Sequence, residues 1–170
     1  EMEPEQPIVR ATLPVSFESY ASLGAGALAI SPDGARIAYQ TTDSTGMVAL
    51  YLRELATGTS TRVSDVASTG SNPFFAQDGS GLGYLAPNML RTHTFGGATR
   101  DVLPVSGTGV SAVWGTDGYI TLATARALIR VRATGGKPDT VLVFADGERL
   151  LIPSLSPDGR TVFCSHVDYS

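Results

Sequence analysis

The sequence predicts an all-β fold, and three observations predict it. Its 19 glycines and 10 prolines in 170 residues would break long helices but suit a chain that turns every few residues. No window keeps an apolar 3.6-residue period long enough for a helix. The third observation is a repeat. Ser31-Pro32-Asp33-Gly34, Ala76-Gln77-Asp78-Gly79, Gly115-Thr116-Asp117-Gly118 and Ser156-Pro157-Asp158-Gly159 place their glycines 45, 39 and 41 residues apart. A period of about 40 with strand-like segments between turns is the signature of β-propeller blades.

Each tetrapeptide reads as a hairpin tip. Proline presets φ at the first central position, aspartate favours the reversal, and glycine takes the left-handed conformation that follows. Apolar residues precede each tip, as in Leu28 and Ile30, and a short alternating strand follows, as in Ile37 and Tyr39. A second turn marks the outer half of each unit: Thr57-Gly58, Gly96-Gly97 and Gly135-Gly136. Strands are therefore expected at 28–31, 36–41, 47–53 and 59–63, then 73–76, 81–86, 89–95 and 99–103. The third unit supplies 112–115, 119–124, 127–133 and 140–144, and the fourth 153–156 and 161–166. Four strands per repeat is the content of one blade.

From Gly34 to Gly58 is 24 residues, against 18 for both Gly79 to Gly97 and Gly118 to Gly136. The excess of six is assigned to a polar loop, Thr41–Gly46, between the second and third strands of the first blade. The blades fall at about 28–66, 73–105, 112–144 and 153–170, the last stopping after two strands. Residues 1–7 read as an acidic, proline-rich linker, and Ile8–Val15 as an extra strand ahead of the repeats. The expectation is an incomplete arc of about three and a half blades, occupying 8–170.

Composition narrows the function classes. The chain is 42% hydrophobic and 16% charged, an ordinary globular balance. Net charge is -4, with one lysine, Lys137, and scattered arginines. Nucleic acid, which needs clustered cations, is not expected as a partner. A single cysteine, Cys164, excludes a disulfide framework. No apolar run reaches the eighteen or so residues of a membrane span, so this segment is not expected to insert.

A family resemblance emerges from the repeats. Leu28-Ala29-Ile30-Ser31-Pro32-Asp33-Gly34-Ala35-Arg36-Ile37-Ala38-Tyr39 resembles the TolB-type, WD-like repeat, with its SPDG turn and Ile-Ala-aromatic strand. Asn72-Pro73-Phe74-Phe75, Phe95-Gly96-Gly97-Ala98 and Val113-Trp114-Gly115-Thr116-Asp117-Gly118 are similar to blades of a narrower group. That group is the sensor-like propeller C-terminal to bacterial serine/threonine protein kinases. The resemblance implies an extracytoplasmic binding module, joined through a linker and one membrane helix to a cytoplasmic kinase. Ala76-Gln77 and Gly115-Thr116 depart from Ser-Pro in two of the turns.

Catalysis by this segment is not expected. Gly24-Ala25-Gly26 lacks the third glycine of a kinase loop, and Lys137 lies beside a turn. A Gly-x-Ser-x-Gly elbow is absent. His93 and His166 read as structural or surface residues, and Cys164 as a buried apolar thiol. Trp114 reads as core. Neither a zinc set nor a calcium loop is present, and Asp43-Ser44-Thr45-Gly46 reads as a solvated turn; no cofactor is expected.

The binding residues are placed by geometry. Asp-Gly and Gly-Gly tips should share one face of the propeller. The Thr41–Gly46 loop and the blade connections at 67–72, 106–111 and 146–149 should share the other, where longer loops on a rigid scaffold carry recognition. Thr41, Thr42, Asp43, Ser44, Thr45, Ser71, Asn72, Ser111, Asp146 and Glu148 are the candidates, for a protein, peptide or small-molecule ligand. Two other classes share the fold: a TolB-like periplasmic scaffold, and the gating propeller of a prolyl-oligopeptidase-type serine peptidase.

Overall fold

The structure, a computed structural model, describes residues 10, 12–13, 28–42, 47–65, 72–105, 111–156 and 158–168. Among them every regular element is a strand. The first blade is β1 (Leu28–Ile30), β2 (Arg36–Thr42), β3 (Val48–Glu54) and β4 (Ser60–Asp65). The second is β5 (Phe74–Phe75), β6 (Gly81–Ala86), β7 (Met89–Thr94) and β8 (Thr99–Pro104). The third is β9 (Ser111–Trp114), β10 (Tyr119–Ala123), β11 (Ala127–Arg132) and β12 (Asp139–Val143). The fourth contributes β13 (Glu148–Leu155) and β14 (Val162–Asp168). The first three are antiparallel meanders in sequence order, and the fourth is a two-stranded sheet. All fourteen expected strands are present. The largest departure is β13, which begins at Glu148 and not at 153. Of the strand expected over 8–15, only Arg10, Thr12 and Leu13 are described, and none of them is in a strand. The linker 1–7 lies outside the described residues.

Turn chemistry is the same in all four blades. The aspartate accepts the N–H two residues on: Ala35, Ser80, Tyr119 and Arg160 donate to Asp33, Asp78, Asp117 and Asp158 over 2.9–3.1 Å. The glycines that follow have φ of 67°, 73°, 76° and 68°, the left-handed region in which a side chain is strained. Where serine opens the turn it adds a second lock. Ser31 Oγ accepts from Arg36 N–H at 2.9 Å and Ser156 Oγ from Thr161 N–H at 3.0 Å. Each hydroxyl also donates to the aspartate of its own turn. Ala76 and Gly115 have no side-chain oxygen to do so. The third tip is also one residue tighter. Gly115 N–H bonds Tyr119 C=O, whereas Ala76 N–H reaches Gly81.

The first blade's longer hairpin is explained by its register. Thr41 and Thr42 are not loop residues: they pair with Ala49 and Val48 at the end of β2. The second blade stops one pair earlier, at Ala86↔Met89, and turns on Pro87-Asn88 with Asn88 at φ 56°. Two of the six extra residues therefore form an additional cross-strand pair and three enlarge the tip. The sixth lies in the turn before Gly58.

Blades pack face to face. One face of the first, with Ala38 and Leu50, meets Phe75, Leu82 and Tyr84 of the second. The second blade's opposite face, with Leu90 and Val102, meets Ile120, Leu122 and Val131 of the third. Tyr84, Leu82, Leu90, Ile120 and Leu122 are fully buried; burying a side chain of this size stabilises by about 1.5–3 kcal/mol. Gly83 leaves room for the Phe74 ring, since a Cβ there would lie 2.3 Å from it, and Trp114 likewise packs over Gly81. Polar contacts cross the same seams. The Arg36 guanidinium lies 4.5 Å from the centre of the Phe95 ring, and Thr92 Oγ1 donates to Ala133 C=O at 3.1 Å. β1 lies against β5, β5 against β9 and β9 against β13, which puts the first strand of each blade at the axis. No comparable interface joins β13 to β1 among the described residues.

Candidate interaction face

Hydrogen bonds assign the two ends of the blades. Leu55, Phe95 and Ala133 N–H groups, in the third turns, donate to Ala35, Ser80 and Gly118 C=O, in the Asp-Gly turns, over 2.9–3.1 Å. The Asp-Gly and Gly-Gly tips do share one face, as expected from strand alternation. At the other end Val105 N–H donates to Asn88 C=O and Phe144 N–H to Arg126 C=O. At this end lie Thr42 and Val48, which close the described part of the first blade's β2–β3 hairpin, and the passage from the third blade to the fourth.

The Asp-Gly face is closely tied together. Gln77 N–H donates to Trp114 C=O at 2.9 Å and Gln77 Nε2 to Ser156 C=O at 3.0 Å, so one residue links the second, third and fourth blades. Beneath it the first strands of all four blades surround a 240 Å³ cavity, lined by Ile30, Phe74, Val113, Trp114 and Leu155 among others. Arg130 pairs with Asp117 and lies 4.0 Å over the Tyr119 ring. The carboxyls of Asp33 and Asp158 are held below the usual carboxylate value. The cause is first the Ser31 and Ser156 hydroxyls and then the Ala35 and Arg160 amides.

The opposite face has a hollow of 680 Å³, lined by Ala125, Arg126, Val143, Phe144, Ala145, Asp146, Gly147, Glu148 and Arg149. It sits where the third blade passes to the fourth. Gly147 at φ 87° makes the turn. Glu148 Oε2 accepts from Ala145 N–H at 3.0 Å, and Oε1 lies 3.4 Å from His166 Nε2. Glu148 is the first residue of β13, paired with Asp168, and not a connection residue.

The described candidates are thus distributed over all four blades. Asp146 and Glu148 come together in the hollow, where they are joined by Arg126 and Arg149. Arg126 was missed by sequence reasoning, although it occupies the third blade's counterpart of the Thr41–Gly46 tip. Ser111 opens β9, paired with Ala123, and Asn72 precedes β5 at φ 37°. Asp43, Ser44, Thr45 and Ser71 lie outside the described residues. Trp114 is 7% exposed and belongs to the core between blades. Cys164 is partly buried, and burial pushes its thiol above the usual value, away from the reactive thiolate.

No family model matches the chain, and no curated protein matches its sequence. Solved structures do match. TolB from Acinetobacter baumannii is 21% identical with a TM-score of 0.67, over 81% of this chain and 36% of that one. A structure described as TolB from Agrobacterium tumefaciens is 20% identical with a TM-score of 0.69, over 87% of this chain and 58% of the other. The β-propeller domain of the trilobed protease from Pyrococcus furiosus is 12% identical with a TM-score of 0.53, over 83% and 54%. The chain spans between about a third and three-fifths of the length of these structures. At such identities the similarity shows the fold, a run of TolB-like β-propeller blades.

Proposed function

We propose that this segment is a non-catalytic binding module that recognises a protein, peptide or small ligand on the face opposite its Asp-Gly turns. The observation that carries this reading is the asymmetry of the two faces. One is built from short turns held by aspartate and backbone hydrogen bonds in every blade. The other has the end of the first blade's longer β2–β3 ladder, at Thr42 and Val48, and the hollow with Arg126, Asp146, Glu148 and Arg149. Variable loops on a rigid scaffold are where binding residues concentrate.

The finer reading is an extracytoplasmic sensor of a bacterial serine/threonine protein kinase. It is supported by the resemblance of the 72–75, 95–98 and 113–118 blade motifs. The complete native polypeptide tests it. A kinase with a glycine-rich loop and catalytic Asp, followed by one membrane helix and this segment, is the expected order. An α/β-hydrolase domain with its serine elbow in the same polypeptide would instead support peptidase gating, the second reading, which the likeness to the Pyrococcus furiosus protease propeller favours. Fold alone does not choose between them.

A further inference from the structure

Five Asp-Gly pairs occur in the chain, at 33–34, 78–79, 117–118, 146–147 and 158–159. Four belong to the repeat turns, and the fifth, at 146–147, makes the turn from the third blade into the fourth. In an Asp-Gly pair the aspartyl carboxyl is open to attack by the next backbone nitrogen, because glycine has no side chain to obstruct the approach. Attack closes a five-membered ring. What decides it is whether the carboxyl carbon and the glycine nitrogen are free to meet.

In the four repeat turns both groups are held. The Gly34, Gly79, Gly118 and Gly159 N–H groups donate to Ser31, Ala76, Gly115 and Ser156 C=O over 2.8–3.2 Å. The carboxylates ahead of them accept from Ala35, Ser80, Tyr119 and Arg160 N–H. Asp117 also pairs with Arg130. The form that cyclises is the neutral acid, and at Asp33 and Asp158 the serine hydroxyls favour the charged form further.

The 145–148 turn is built in a different register. Glu148 N–H donates to Ala145 C=O at 3.1 Å, so Asp146 and Gly147 are its two central residues. In the repeat turns the glycine is instead the last residue, and its own N–H closes the turn. The carboxylate that caps the 145–148 turn is Glu148, which takes Ala145 N–H at 3.0 Å. Among the described residues, neither the Asp146 carboxylate nor the Gly147 N–H has a hydrogen-bond partner. Gly147 has φ of 87°, and both residues are exposed on the wall of the 680 Å³ hollow, within reach of water.

We propose that Asp146-Gly147 is a site of spontaneous modification, where aspartate converts to isoaspartate while the four repeat Asp-Gly pairs are protected by their turns. The Gly147 nitrogen bonds to Asp146 Cγ and loses its proton, which leaves with the carboxyl hydroxyl as water. Water then opens the resulting succinimide. Hydrolysis at Cγ restores aspartate. Hydrolysis at the Asp146 main-chain carbonyl leaves Gly147 attached through Cγ, which is isoaspartate. One water leaves and one returns, so mass is unchanged and nothing is oxidised or reduced. The product has an added methylene in the backbone just before β13, and its free carboxylate is the former main-chain carbonyl, so the wall of the hollow changes shape. The site does not depend on the hollow's binding a ligand.

The test ages the full chain in mildly acidic buffer at physiological temperature. An isoaspartate-specific carboxyl methyltransferase then labels it, and proteolysis maps the label. Label is expected in the peptide that contains 146–147. Two hydrogen bonds must break first in each repeat turn, so those four sites should label more slowly by about tenfold or more. In urea-unfolded chain all five pairs should convert at comparable rates. Asp146→Glu keeps the charge but would need a six-membered ring, and it should remove the label. Comparable labelling of the repeat turns in the folded chain, or an unlabelled 146–147 peptide, overturns the proposal. So does label that persists at that position in Asp146→Glu, or a preference for 146–147 that is unchanged in urea.

Discussion

At each Asp-Gly turn one carboxylate oxygen takes the N–H two residues on, and in two turns a serine hydroxyl reinforces it. Ser31→Ala removes an acceptor for Arg36 N–H and the donor to Asp33. Loss of a hydrogen bond at a buried serine costs about 0.5–1.5 kcal/mol, which urea denaturation should register. The Asp33 carboxyl should rise toward 3.8 in an NMR titration, because its main cause of depression is gone. The sign of the pH dependence follows. A folded pKa below 3.8 stabilises the turn fully above that value, and the contribution disappears as pH falls through the lower folded pKa. Asp33 and Asp158 are exposed, so this term is small. A larger effect is expected at Gly83. An alanine Cβ 2.3 Å from the Phe74 ring forces the ring or strand to shift, at about 1–3 kcal/mol. A lowered midpoint with an unchanged denaturant slope would fit that account; an unchanged midpoint would not.

The first blade's β2–β3 hairpin is the element that departs from the repeat. Because Thr42 pairs with Val48, replacing 43–47 by Asn-Gly should close the hairpin on a two-residue turn of the kind antiparallel strands favour. Amide protection at Thr41 and Thr42 should survive, and the melting temperature should not fall. Affinity for a partner bound on that face should drop. Equal affinity would move recognition elsewhere, and a footprint on the Asp-Gly turns would place it on the opposite face.

Across the whole molecule, each seam joins one blade's forward face to the next blade's backward face, and such interfaces add up along a repeat array. The first blade's backward face bears Leu28 at 47% and Ile30 at 59% exposure. Both are paired within their own sheet, so lysine at either position keeps the β1–β2 ladder. The Leu28→Lys, Ile30→Lys chain should stay monomeric in light scattering at concentrations where the parent associates, with the same melting temperature. A parent that is already monodisperse would argue against an arc with open faces.

The sequence by itself determined the all-β class, the four repeats and the order of fourteen strands. Those follow from local chemistry: Asp-Gly and Gly-Gly turns, alternating strands, and glycines at 34, 79, 118 and 159 whose positive φ a side chain resists. Even the departures at Ala76 and Gly115 could be read, since the aspartate and glycine keep their places without the serine. Tertiary structure decided what depends on register and on contacts between blades. Thr41 and Thr42 look like loop residues, being polar, yet pairing with Ala49 and Val48 draws them into a strand. Glu148 looked like part of a connection and became the start of β13, because Gly147 completes the turn immediately before it. Val63, Val102 and Val141 recur every 39 residues in the sequence, yet Val102 is buried beside Val131 and Ala133 of the next blade while Val141 is exposed. Gathering Arg126 with Asp146 and Glu148 likewise required the third and fourth blades to be side by side. Strand pattern is a local property of the chain; the choice of which residues face a seam, a hollow or solvent belongs to the packing of one blade on the next.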